Sequence, residues 1–327
     1  MIIEFPTAEE EERSRRFQVN KNYLLSLRLH LERDYGCGMR EASINLVEEL
    51  RQQTGFRRIQ GRSRVDEESC RAALSLSWTG LIQLELASWT EVGFNLPYTN
   101  AWAPVHGYYA VYGAARAWLI AQGQPTDSHG ATLKTISSEV QSRHLYPSPW
   151  DVVCTGCCHD GSHVFRNVPP GAVPAAAAIL LQAPCHETFW PRYLKMLETT
   201  RRHVLEERYG EWKQRSNRKR TMLREKRVIA QSVPPTTLFD FLWRLRVRSN
   251  YQGVEAYLMT SVANSWHREF HESIRLITHL TSFMFDCWTA QKMGRDKYLD
   301  AIDKFMKYRG HSLEPVRFLT DRRDCLR

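Results

Sequence analysis

Apolar residues recur along this chain at intervals of three and four over long stretches, the period of helices with one buried face. From about Glu9 to Arg33 a charged amphipathic stretch predicts a first helix, and Ile44 to Gln53 a second, ahead of a basic loop from Arg57 to Arg64. From Asp66 to about Glu91, Leu74, Trp78, Leu81 and Leu84 keep helical spacing, which predicts the first core helix. Leu74, Leu76 and Trp78, like Leu84 and Leu86, also alternate as a strand would, so both readings stay open there. Pro97 and Pro104 punctuate the route to a helix whose stripe holds Tyr109, Tyr112, Gly113, Arg116, Ala117 and Ile120. Gly123 ends it and Pro125 guards the exit.

Between Pro147 and Pro184 the pattern breaks into Cys, Gly, Pro and Ala, which predicts loops with short strands. Trp190, Leu194, Leu197, Val204, Leu205, Tyr209 and Trp212 restore helical spacing. Thr236 or Thr237 can cap a helix in which Phe239, Leu242, Trp243, Leu245 and Val247 alternate with Arg244, Arg246 and Arg248, a buried helix with a basic edge. A last long helix runs from about Ser265 to Met293, with Phe270, Ile274, Ile277, Thr281, Met284 and Trp288 on one stripe. His267, His271, Arg275 and His279 fall four apart beside that stripe and predict an exposed polar face. The expected fold is mainly α, without internal repeats or a glycine-rich phosphate loop.

Composition narrows this picture. With 327 residues, 10 Trp, 13 Tyr and 13 Phe the chain can build a large core. Its net charge of +9 is clustered: Glu211 to Arg227 reads EWKQRSNRKRTMLREKR, dense enough to track a phosphate backbone or simply to be a solvated helix. Arg215, Arg218, Lys219, Arg220, Arg224 and Arg227, with Arg244 beyond them, are the candidate nucleic-acid contacts. The start, MIIEFPTAEEEERSRR, lacks the basic lead and apolar run of an export signal, and the most apolar stretch, Ala172 to Leu181, is too short to span a bilayer. A cytoplasmic protein is therefore expected, which also suits 8 scattered cysteines. Cys154, Cys157, His163 and Cys185 are of zinc-ligand type, but the later cysteine and histidine are adjacent in sequence, so small residues packed in a loop are the favoured reading and no cofactor is expected.

Two distant segments carry a family resemblance. Tyr108, Tyr109, Ala110, Tyr112, Ala114, Ala115, Arg116 and Ala117, then Gly123, Ser128, His129 and Gly130, and much later Arg246, Asn250 and Tyr251, together resemble the HEPN family (higher eukaryote and prokaryote nucleotide-binding), especially its small stand-alone prokaryotic members. The resemblance covers residues 70 to 142 and 236 to 262. It implies a helical bundle, frequently dimeric, in toxin-antitoxin or defence loci, and in active members a metal-independent ribonuclease whose Arg is followed by His after four to six residues. None of the 12 histidines here has an Arg at that distance; Arg275 and His279 come closest, with three residues between.

The resulting expectation is a HEPN-like bundle in two parts, 66–142 and 236–310, with a helical lead-in over 1–65, an insertion of Cys/His-rich loops and a basic helix over 143–235, and a tail over 311–327. Its role is expected to be an accessory or binding protein for nucleic acid, RNA before DNA, or for a complex containing it, without the usual catalytic pair and away from membranes. Arg116 stands as a groove residue or a structural one. A ribonuclease using Arg246, Arg248, Asn250 and Tyr251 is the enzymatic alternative, though that set lacks a group titrating near neutrality. A purely structural subunit is the third.

Overall fold

A helix that is apolar on all sides must be surrounded, and the tyrosine-rich segment is one. It forms α5 (Leu96–Gln122), most of whose side chains are buried, with Tyr98 and Trp102 near its start exposed. Around it lie α4 (Glu67–Trp89), α6 (His129–Ser142), α10 (Leu238–Val247) and α11 (Asn264–Met293). The computed structural model describes residues 7–59, 61, 65–89, 96–142, 145–217, 220–252, 255, 257–258, 262–309 and 316–326, except for the side chains of 87–89, 251–252 and 308–309. Thirteen α-helices and one two-stranded sheet make up the described residues, so the chain is mainly α.

The ambiguous stretch from Leu74 to Leu86 is helical: Leu74, Trp78, Leu81 and Leu84 are buried at helical spacing while Leu76 and Leu86 face outward. Helices α4 and α5 touch backbone to backbone. A Cβ on Gly113 would lie 2.6 Å from the amide nitrogen of Ser77, and one on Gly80 would lie 2.8 Å from the carbonyl oxygen of His106. Pro104 sits inside α5 rather than before it. Its missing N–H removes one backbone hydrogen bond, which the packing of the surrounding helix offsets. Gly123, at φ 79°, ends the helix as the sequence predicts, and Gln124 N–H donates to Leu119 O at 2.8 Å.

The outer helices share the same core. Thr7 and Glu10 cap α1 (Ala8–Tyr35) reciprocally, and its Phe17, Leu24, Leu27 and Leu31 pack into the central cluster. Next come α2 (Met39–Gln52) and the single turn α3 (Thr54–Arg57). Past α11 the chain continues as α12 (Arg295–Arg309) and α13 (Arg317–Cys325), so the segment expected to be a tail contains a docked helix whose Phe318, Leu319 and Arg322 are buried. Its apolar residues are too few to announce it, and its anchor is polar: Arg322 donates to Asp286 of α11 at 2.6 Å.

The histidine stripe of α11 faces inward, contrary to expectation: His267, His271 and His279 are all buried. Because α11 is enclosed by α1, α4 and α5, both its stripes are covered, and the polar one is met by polar partners. Asn100 bonds to His267 and His271, while Glu85 accepts from Arg275 at 3.1 Å and contacts His279 at 2.7 Å. Arg275 therefore forms a structural ion pair with Glu85, and His279, whose pKa burial lowers, hydrogen-bonds to the same carboxylate. Burial pushes the Glu85 carboxyl up, but the His279 and Arg275 contacts outweigh it and hold the pKa at about 2. An unfolded glutamate titrates near 4.3, so this contribution is present above that pH and is lost as pH falls towards 2. Glu85→Gln should remove roughly 2 kcal/mol of stability at neutral pH and flatten the acid limb of a urea-midpoint-versus-pH curve between about pH 5 and 2; an unchanged limb would count against the pair.

The stretch between α6 and α10 holds a hairpin, β1 (Val153–Thr155) with β2 (Val164–Arg166), in which Cys154 pairs with Phe165. It also holds the short α7 (Ala177–Leu180), then α8 (Phe189–Ser216) and α9 (Leu223–Ser232). Cys154 exchanges two 2.9 Å backbone hydrogen bonds with Thr236, pinning the hairpin to the start of α10. Fully buried Arg201 of α8 donates to the carbonyls of Gly156, Ala230, Val233 and Pro234, closing the same junction without any carboxylate.

Candidate nucleic-acid interface

The two segments that carry the resemblance meet. Thr237 starts α10 with its N–H and hydroxyl both donating to Asp240, at 2.7 and 2.9 Å. Arg246 donates to the Tyr109 hydroxyl at 3.0 Å, and its guanidinium lies 4.7 Å from the Trp243 ring, 5.3 Å from Tyr109 and 5.7 Å from Tyr108. At the start of α6, His129 completes the cage: Nδ1 contacts the Tyr108 hydroxyl at 3.0 Å and its ring lies 4.1 Å from Tyr112. Burial, then the positive fields of Arg246 and Arg116, push the His129 pKa down. The imidazole is thus neutral at neutral pH. Burial pushes the Tyr108 phenol well up, so it stays a donor.

Arg116, on the next turn of α5, is half-buried, and its Nε has no hydrogen-bond partner among the described residues. No carboxylate pairs with it there. Arg248 and Asn250 are half-buried and lie in the π-helical turn Arg248–Gln252 that follows α10. The side chain of Tyr251 lies outside the described residues, so Arg246 and its tyrosine partners on α5 represent that motif here.

The basic run divides by place. Arg215 ends α8, Arg220 precedes α9, and Arg224 and Arg227 lie on α9; all four side chains are exposed, and Arg227 pairs with Asp160. Arg218 and Lys219 lie outside the described residues. Arg244 is unlike the others: it is only 4 % exposed, sits 5.5 Å from the Phe241 ring, and faces a groove between α6, α8 and α10 rather than open solvent.

The candidate zinc ligands do not converge. Cys154 is buried in the hairpin, Cys158 donates to the Glu198 carbonyl at 3.8 Å, Cys157 contacts the Tyr209 hydroxyl at 3.8 Å, and Cys185 is exposed, bonded to Thr188 in a single 3-10 turn. Among the described residues no three His, Cys, Asp or Glu side chains are grouped to hold a metal ion, and no helix is long and apolar enough to cross a membrane. Sequence reading missed the role of Arg201, because its partners are backbone carbonyls that leave no residue-type signal. Comparisons with family models, with curated proteins and with solved structures find no match to this chain.

Proposed function

We propose that the chain is a HEPN-like accessory protein that binds nucleic acid, RNA in preference to DNA, in a prokaryotic defence or toxin-antitoxin setting. The observation that carries this reading is the Arg246–Tyr109 contact, which joins the two resembling segments into one packed unit. Exposed Arg215, Arg220, Arg224 and Arg227 supply the phosphate-facing charge. Each arginine that neutralises a phosphate releases counterions, so binding weakens with salt. Filter retention of labelled single-stranded RNA across a salt series should show this dependence, and replacing Arg220, Arg224 and Arg227 by Ala should make the log-log slope shallower by about 2. An unchanged slope in that variant would overturn the assignment of this face; absence of retention by the parent chain would favour a structural subunit.

One observation favours the ribonuclease as a second reading. His129, neutral and flanked by Arg246 and Arg116, supplies the titratable group that Arg246, Arg248, Asn250 and Tyr251 lack. Cleavage of the same RNA that disappears with His129→Ala would establish it, and retention without cleavage would exclude it.

A further inference from the structure

We infer that the groove between α6, α8 and α10 is a binding site for a small organic carboxylate with an aliphatic body, held through its carboxylate group by Arg244. Nothing in this site depends on the exposed arginines of α9 or on the cage around Arg246, so it stands apart from the nucleic-acid reading.

Arg244 is the group that calls for a ligand. The other deeply buried arginines have partners: Arg192 and Arg201 donate to backbone carbonyls, Arg246 to Tyr109 and Arg322 to Asp286. Arg244 is 4 % exposed, makes no hydrogen bond or ion pair among the described residues, and its Nη1 is sealed from solvent without a partner. Asp240 lies one turn earlier on α10 but is engaged in the cap, accepting from the N–H and hydroxyl of Thr237 and from Ser137. Burial first, then the like charge of Arg248, lower the Arg244 pKa to about 9, so the guanidinium stays charged at neutral pH. The phenols of Tyr23 and Tyr257 oppose this lowering, and burial keeps both protonated and uncharged. A buried cation without a counter-charge is costly unless a ligand supplies the missing anion.

The lining of the groove selects the class of anion. The cavity has a volume of about 660 Å³, within the size range of small-molecule pockets. Half-buried Leu133 of α6, Val204 of α8 and Val247 of α10 line it, with Val233, Pro234 and Pro235 ahead of α10, so an aliphatic body leaves water on entering. The planar fork of Arg244 matches the two oxygens of a carboxylate, and one negative charge neutralises it. A phosphate dianion would bring a second charge beside Glu207, Glu211 and Asp240, which line the same groove. The other bases there leave Arg244 as the anchor: Arg208 and Arg215 pair with Glu211, His203 contacts Glu207 and is kept neutral by burial, and Lys134 is exposed.

The test is calorimetric titration of the full chain at neutral pH with octanoate, acetate, octan-1-ol and inorganic phosphate. Saturable binding of octanoate is expected, at least about tenfold tighter than that of the other three and weakened at least about tenfold by Arg244→Met. Arg244→Met removes an unpaired charge and leaves an unbranched apolar side chain, so its melting temperature should not fall. Should that variant misfold, Val204→Asp sets a carboxylate in the groove wall at a half-buried position outside the core clusters, and should weaken octanoate binding by a similar factor. No binding of octanoate, octan-1-ol or phosphate binding as tightly as octanoate, or octanoate binding unchanged in these variants, would each overturn the assignment. Replacing Arg220, Arg224 and Arg227 by Ala should leave octanoate affinity as it is, whatever that variant does to RNA retention.

Discussion

Asp286→Ala should destabilise the chain by about 4 kcal/mol, read as a shift of the urea midpoint at unchanged slope. Three donors from three helices converge on its Oδ2: Trp78 Nε1 of α4 at 3.2 Å, Tyr298 OH of α12 at 2.8 Å and Arg322 Nη1 of α13 at 2.6 Å. Both Asp286 and Arg322 are essentially inaccessible to water. Removing the carboxylate therefore strands a buried guanidinium, whose remaining bonds to His279 O and Ser282 Oγ cannot neutralise it. Replacing both partners by Leu should recover most of the loss, because the stranded charge goes with its mate. If the double variant is as unstable as the single one, the cost lies in the lost volume and not in the unpaired ion.

The second large effect concerns the seam between α4 and α5. On helix propensity alone, Gly113→Ala would add about 1 kcal/mol of stability. A Cβ there, however, meets the Ser77 nitrogen at 2.6 Å and the Ala73 oxygen at 2.8 Å, both backbone atoms that cannot rotate away. Crowding reverses the sign, and a loss of about 3 kcal/mol is expected for Ala and more for Val. Gly210 of α8 is the control: nothing lies within 4 Å of the Cβ built there, so Gly210→Ala should gain the propensity increment. Equal effects at the two positions would mean that the helices are not in backbone contact.

Much of this architecture was legible in the residues. Long repeats of apolar side chains located α1, α4, α8 and α11 to within a few positions, and the C-terminal end of α5, because each helix has to bury a stripe or a whole surface. Gly123 and Thr237 marked boundaries for the same reason that they work as caps. What misled was context. Four-residue spacing of His267, His271 and His279 says that they share a face, and only the surrounding helices decide that this face meets Asn100 and Glu85 instead of water. Pro104 reads as a boundary locally, yet α5 runs through it because the burial of Ala101, Ala103, Pro104 and Val105 outweighs one lost hydrogen bond. Within the site, the meeting of Arg246 with the tyrosine helix was anticipated by pattern. The isolation of Arg244 was not, since lacking a partner is a property of three-dimensional neighbours and leaves no mark in sequence.

The central position of α5 has a consequence for how the chain is made. As synthesis proceeds from the N-terminus, α5 emerges with α4 as a neighbour, but α10 and α11 follow only when residues 247 and 293, respectively, have left the ribosome. Contacts so distant along the chain form late and slowly. Until then a long, almost uniformly greasy rod is left half-clothed, which makes the nascent polypeptide a natural client for chaperones that shield exposed apolar surface.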